Sequence, residues 1–189
     1  MTGLYALVLA AGSGSRFGGG KLMAPWRGGA LIDGALDAAL AAPVRAAHVV
    51  VGADPKVRAH AEARGLTVVE AADHALGLSA TLKAGIASLP PGASGVLVFL
   101  GDMPLIPHAV LKPLAQALRD GAPAAAPVFE GKLGHPVALS AALFGEVMAL
   151  EGDRGARILI ERLGGRLVRV PSPDDGILID VDRPDDLPA

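Results

Sequence analysis

Between Ala10 and Lys21 the chain reads AAGSGSRFGGGK, directly behind a hydrophobic run. The loop is built largely of Gly12, Ser13, Gly14, Gly18, Gly19 and Gly20. Backbone this bare lets N–H groups approach an anion closely, and Arg16 and Lys21 add two cations. A triphosphate is the guest such a loop suits. The plainer reading is a flexible surface loop with two solvated charges, but its place behind a buried run favours the anion. Two common phosphate loops do not match. A Walker-type loop needs glycine at position 15 and Ser or Thr at 22, where this chain has Ser15 and Leu22. A dinucleotide loop puts its third glycine where Phe17 stands and needs an acid at a second strand end, whereas Asp33 and Asp37 lie on a predicted helix.

Carboxylates form the second group. Gly101-Asp102-Met103-Pro104 follows the run VLVFL, so Asp102 stands where a buried strand opens toward a ligand crevice. Hard Mg²⁺ takes one or two carboxylates together with phosphate oxygens, which suits this aspartate; a turn cap before Pro104 is the alternative. Ile179–Leu187 reads IDVDRPDDL. If this segment is a strand, Asp180 and Asp182 share a face and repel unless a cation sits between or before them. Asp185 and Asp186 fit a helix N-terminus. Ser79 and Thr81 can bond a base or a phosphate, and Ser79 can equally be a helix cap. His135 is a lone histidine between Gly134 and Pro136, and GDRGAR at 152–157 reads as a helix start capped by Asp153. His48, His60, His74 and His108 have no spacing that suggests a metal site.

Short β-branched runs alternating with Ala/Leu-rich stretches supply the frame. Strands are predicted at 4–9, 48–51, 67–70, 96–100, 124–129, 136–139, 166–170 and 177–181. Helices are predicted at 31–41, 55–64, 79–89 with Ser79 as cap, 107–119, 141–150 and 154–163. Such alternation means a mostly parallel sheet with helices on both faces, and the late short strands suggest an antiparallel element near the edge. Ligands bind at the carboxyl ends of strands in such sheets, which directs attention to the loops after Leu9, Val51, Leu100 and Phe129. The 189 residues are 51% hydrophobic and 19% charged, with a formal net charge of −2 and no cysteine. One domain with one good core is expected, and neither nucleic acid nor an anionic membrane is indicated as partner. Lack of cysteine excludes disulfides and thiolate chemistry and fits a cytoplasmic location. Apolar runs stay near ten residues, short of the roughly 20 of a membrane helix, and Met1–Ala11 lacks the basic start of a leader.

The segment LAAGSGSRFGGGK resembles the L-A-[AG]-G-x-S-x-R-x-G-x-x-K signature of the MobA-like nucleotidyltransferases, and looks most like the molybdenum cofactor cytidylyltransferases among them. GDMP at 101–104, LGLSATLKAGI at 76–86, GHPV at 134–137 and IDVDRPDDL at 179–187 extend the resemblance over almost the whole chain. It implies a single domain over residues 1–189, a three-layer α/β/α, Rossmann-like nucleotidyltransferase fold with a mostly parallel sheet. The implied reaction moves CMP from CTP to the phosphate of molybdenum-bound molybdopterin and releases pyrophosphate. By the resemblance Arg16, Lys21 and Asp102 are catalytic, while Ala10, Ala11, Gly12, Ser13, Gly14, Arg16, Lys21, Ser79, Thr81 and Gly101 hold the nucleotide. Asp102 and Asp182, supported by Asp180, would bind Mg²⁺ or Mn²⁺, and His135, Arg154 and Arg157 would face the acceptor. LAAG rather than LAGG is the cytidylyl-like version of the loop. The alternatives are a guanylyltransferase or sugar-phosphate nucleotidyltransferase of the same fold, or a non-catalytic nucleotide-binding factor in molybdoenzyme assembly. A molybdoenzyme or its chaperone is the protein partner compatible with the reading.

Overall fold

The computed structural model describes residues 3–12, 17–151 and 156–186, apart from the side chain of His74. In chain order the elements begin with β1 (Gly3–Ala10), the short hairpin β2 (Pro25–Trp26) and β3 (Gly29–Ala30), and α1 (Asp33–Ala41). Then come β4 (Ala47–Val51), α2 (Pro55–Ala63), β5 (Thr67–Glu70), α3 (Leu78–Ala87), β6 (Ala93–Leu100) and α4 (Leu111–Arg119). The last third holds β7 (Ala124–Phe129), β8 (Lys132–Leu133), β9 (Val137–Ser140), α5 (Phe144–Met148), α6 (Arg157–Leu163) and β10 (Leu167–Pro171).

The main sheet runs β10-β7-β9-β6-β1-β4-β5, with β8 paired to β7. Alternation along each central strand splits its side chains between two cores. Leu4, Ala6, Val8 and Ala10 of β1 join Val49, Val51, Leu97 and Phe99 on one face, under α1, α2 and α4. Leu7 and Leu9 join Val50, Val96 and Val98 on the other, under α3, α5 and α6. Burial on both faces explains why these strands read as nearly unbroken apolar runs. The three-layer, mostly parallel arrangement expected from the sequence is therefore present. No helix among the described residues is long and apolar enough to cross a membrane.

Strands β1, β4, β5 and β6 are mutually parallel, in the order β5-β4-β1-β6. The connection leaves β1 toward β4 on one side and reaches β6 on the other, so the crevice at their carboxyl ends is a topological switch point. Local signals hold the flanking elements. Asp54 caps α2 by accepting from the Lys56 amide at 2.9 Å, ahead of Pro55. Asp33 ties α1 to both the hairpin and α2, accepting from Ala30 N at 2.8 Å, the His60 ring at 2.7 Å and Arg64 at 2.6 Å. Burial alone would raise the Asp33 pKa, but the bonds from His60, Ala30 and Arg64 outweigh it and hold the carboxyl below its usual value.

Four expectations need correction. The antiparallel element is β9 with the short β8, and it lies further in than an edge: β9 sits two strands in, between β6 and β7 and antiparallel to both, β8 pairs antiparallel with β7, and β10 forms the edge, parallel to β7. The segment 177–181 is not a strand. Residues Asp175–Leu178 form a 3-10 turn in which Asp174 accepts from Gly176 N at 2.9 Å, and the following chain packs on the loop after β6 instead of joining a ladder. Ser79 does not cap α3, because the helix starts one residue earlier, after Gly77, whose φ of 102° closes that position to other residues. The helix predicted at 141–150 is a 3-10 turn, Ala141–Leu143, followed by the five-residue α5.

Candidate functional site

The end of β1 and the end of β6 lie side by side, Leu9 opposite Leu100. Gly101 N donates to Leu9 O at 3.0 Å, and a Cβ on Gly101 would stand 3.2 Å from that same oxygen. Glycine there lets the chain pass tightly over β1, where a Cβ at 101 would also lie 3.5 Å from the Ala10 Cβ. On the far side of the glycine loop, Gly18, Gly19 and Gly20 all have positive φ and turn the chain into the 3-10 turn Lys21–Met23. That turn is fixed by buried Leu22, whose carbonyl accepts from Ile32 N at 3.0 Å. Ser13, Gly14 and Arg16 lie outside the described residues.

Lys21 points into this corner. Its ammonium donates to Asp102 Oδ2 at 2.7 Å and reaches Asp182 Oδ1 at 3.4 Å, with 11% of its side chain exposed. Asp182 is delivered by the C-terminal segment: Val181 N donates to Asp102 O at 3.0 Å. The Asp186 carboxylate fixes the next turn by accepting from Asp182 N at 3.2 Å and Arg183 N at 2.7 Å. Asp180 is exposed but close enough to matter. Burial, then the charges of Asp102 and Asp182, raise its pKa above the ordinary carboxylate value. Among the described residues Lys21 is the cation paired with Asp102 and Asp182 in this corner. No three His, Asp or Glu side chains among the described residues are grouped as a ready metal cage.

Lys21 lines one cavity at the corner, and a second cavity lies around His135. The first, of about 320 Å³, is lined by Ala10, Ala11, Gly12, Gly20 and Lys21 together with Gly52, Ala53 and Asp54. The last three were missed residue by residue, although the loop after Val51 was marked by its place at a strand end. The other cavity, about 790 Å³, has apolar walls including Leu78, Ala126, Val137 and Ile160, and carries Lys132, His135, Arg157 and Glu161. Lys132 and Glu161 were not anticipated. Lys132 sits in the same loop element as His135, and Glu161 accepts from Arg157 Nε at 2.9 Å one helical turn on. Arg154 lies outside the described residues.

The remaining predicted residues divide. Thr81 turns its hydroxyl back to Gly77 O at 3.5 Å, whereas Ser79 Oγ is buried without a hydrogen-bond partner among the described residues. A buried orphan hydroxyl costs free energy until something bonds it, so Ser79 is the better of the two for ligand contact. His135 is placed by backbone contacts. Its N–H donates to Ile177 O at 3.0 Å, Gly134 packs so closely on Ile177 that a Cβ would lie 2.8 Å from the carbonyl carbon, and Nδ1 lies 3.5 Å from Val98 O. Burial pushes the His135 pKa down, against the Val98 carbonyl and the Asp102 charge.

Burial lowers His48 as well, whose ring packs edge-on to Tyr5 and meets Ser88 Oγ at 3.2 Å. Both imidazoles stay neutral in the folded chain where the unfolded chain takes up a proton near the ordinary histidine value of 6.5. Unfolding therefore binds protons below that pH, and stability falls as pH drops through it, levelling off at the folded-state values. The Asp33 contribution is kept over this range and lost only below 3.8. A thermal unfolding midpoint lower at roughly pH 5.5 than at roughly pH 7.5 is expected, with a smaller difference in a His48→Gln variant.

A family model described as the MobA-like NTP transferase domain matches residues 6–168. The chain is 27% identical to the molybdenum cofactor cytidylyltransferase of Escherichia coli (strain K12), over 98% of this chain and 94% of that one. It superposes on Rv0371c of Mycobacterium tuberculosis H37Rv, solved as a complex with manganese, with a TM-score of 0.80 and 28% identity over 98% and 96% of the two chains. The Rv0371c homologue from Mycobacterium sp. strain JC1 gives 0.83 and 31%, over 97% and 92%.

Proposed function

Because the chain belongs to the MobA-like NTP transferase family, we propose that it transfers CMP from CTP to the phosphate of molybdenum-bound molybdopterin and releases pyrophosphate. The observation that carries the chemistry is the meeting of Lys21, Asp102 and Asp182 where β1 and β6 open into the crevice. Support for the cytidylyl assignment comes from Ala11 in the LAAG sequence and from the likeness to the Escherichia coli cytidylyltransferase along nearly its full length.

An acceptor phosphate oxygen forms a bond to the α-phosphorus, and the bond from that phosphorus to the oxygen bridging to the β-phosphate breaks. The electron pair leaves on pyrophosphate. Since the attacking phosphate is already anionic, the chain needs to supply neither a nucleophile nor a general base; its work is positioning and charge neutralisation. The two carboxylates brought to one ammonium are hard oxygen donors, partly exposed, and so fit Mg²⁺ or Mn²⁺ held by Asp102 and Asp182. Such a cation supplies charge compensation at the α-phosphate and the departing pyrophosphate. Lys21 and Arg16, with the amides around Gly12, hold the outer phosphates. Ser79 offers its hydroxyl to the nucleotide, beside Ala10, Ala11 and Gly101. The cavity at His135 and Arg157 takes the acceptor, with Lys132 adding a cation, and Arg154 is assigned to the acceptor by the sequence resemblance alone. A recipient molybdoenzyme is the natural consumer of the product.

The test is magnesium-dependent pyrophosphate release with each nucleoside triphosphate, with and without molybdenum-loaded pterin. CTP turnover that needs the pterin is the expected result. A strong preference for GTP would overturn the cytidylyl assignment and keep the chemistry.

A further inference from the structure

Lys21 serves two masters in this site, and one ammonium cannot serve both at once. In the structure it is committed to carboxylates, bonded to Asp102 at 2.7 Å and to Asp182 at 3.4 Å, and it is nearly enclosed. Those are the oxygens assigned above to the divalent cation, so this inference rests on that assignment. A divalent cation on the same oxygens would leave the Lys21 ammonium facing a like charge at close range, in a corner where water screens poorly. The ammonium must then leave, and the nearest chemistry that can receive it is the triphosphate in the adjoining cavity, which Lys21 also lines.

We infer that Lys21 is a resident counter-ion that the divalent cation has to displace, so that it suppresses metal binding to the nucleotide-free protein. Lys21 moves from the carboxylates to the phosphates when metal and nucleotide arrive together. Each then favours the other: the nucleotide gives Lys21 an alternative partner, and the cation compensates the carboxylates Lys21 abandons. Lys21 is here a positioning residue for the cation and a contact residue for the phosphates, roles that separate experimentally.

Mn²⁺ binding to the nucleotide-free protein, followed by electron paramagnetic resonance of the free ion, reads the exchange without turnover. Lys21→Met is expected to bind Mn²⁺ about tenfold more tightly than the wild type, within the usual range of coupling between two sites. Lys21→Arg keeps the positive charge and is expected to bind as weakly as the wild type, which separates displacement of a charge from a general loosening of the loop. Asp102→Asn, placed in the Lys21→Met background, is expected to remove the gain. Equal or weaker binding in Lys21→Met, with Asp102→Asn still lowering wild-type binding, overturns the exchange and leaves the metal assignment standing. Binding indifferent to Asp102 in both backgrounds overturns the assignment and the exchange together.

Discussion

The Asp102→Asn protein is expected to transfer nucleotide about a thousandfold more slowly than the wild type, or worse, with its fold intact. The substitution keeps the size of the side chain and the carbonyl that accepts from Val181 N, so the C-terminal segment stays docked. What it removes is the negative charge that faces Lys21 at 2.7 Å and stands nearest the end of the central strand β6. If Asp102 only capped a turn before Pro104, asparagine would do nearly as well and turnover would be close to wild type. Pyrophosphate release measured beside a thermal melt distinguishes the two. A variant with normal melting and full activity would sink the catalytic assignment.

Gly34→Ala is expected to damage stability and turnover together. Residue 34 lies in the first turn of α1, and the helix is pressed there against the loop that follows Asp102. A Cβ at 34 would collide with the Pro104 carbonyl oxygen and come within 2.6 Å of Pro104 Cα. Both are backbone atoms, so no side chain can swing aside, and either α1 or the 102–104 loop must move. Alanine is the better helix former by about 1 kcal/mol, yet overpacking of this kind costs about 1–3 kcal/mol. A net loss of roughly 1 kcal/mol lowers the melting midpoint by about 2–4 °C in a domain of this size. The larger effect is on rate. A shift of the loop by a fraction of an ångström moves Asp102 off Lys21, so kcat is expected to fall about a hundredfold. The control is Gly145→Ala in α5, since a Cβ there meets nothing within 4 Å: kcat should be unchanged and the melting midpoint unchanged or slightly raised by the helix preference of alanine. A Gly34→Ala protein with normal kcat would mean that the 102–104 loop is not held by α1.

Much of this arrangement was legible because its signals are local. Pro55 announces the start of α2, and the glycine loop and Asp102 sit at strand ends that the apolar runs reveal. The failures share a cause. Residues 177–181 alternate like a strand because Ile177 and Val181 are fully buried, but they are buried under the loop after β6, and burial leaves the same pattern as pairing. The place of β9 inside the sheet depends on which strands find one another, which no window of sequence records. Lys21 and Asp102 were each identifiable by type and position. Their contact spans 81 residues and belongs to the fold alone. Lys132 and Glu161 escaped because a single exposed charge on a hairpin or helix is the commonest thing on a protein surface.

The docking of Val181 on Asp102 sets an order of events during synthesis. Every strand of the sheet has been made once Pro171 exists, whereas Asp182 comes later and is held by a loop that must already be in place. A nascent chain can therefore complete its sheet while one half of its acidic corner is still missing. Its sheet then has the architecture of the finished protein while Asp182 has yet to join Lys21 and Asp102.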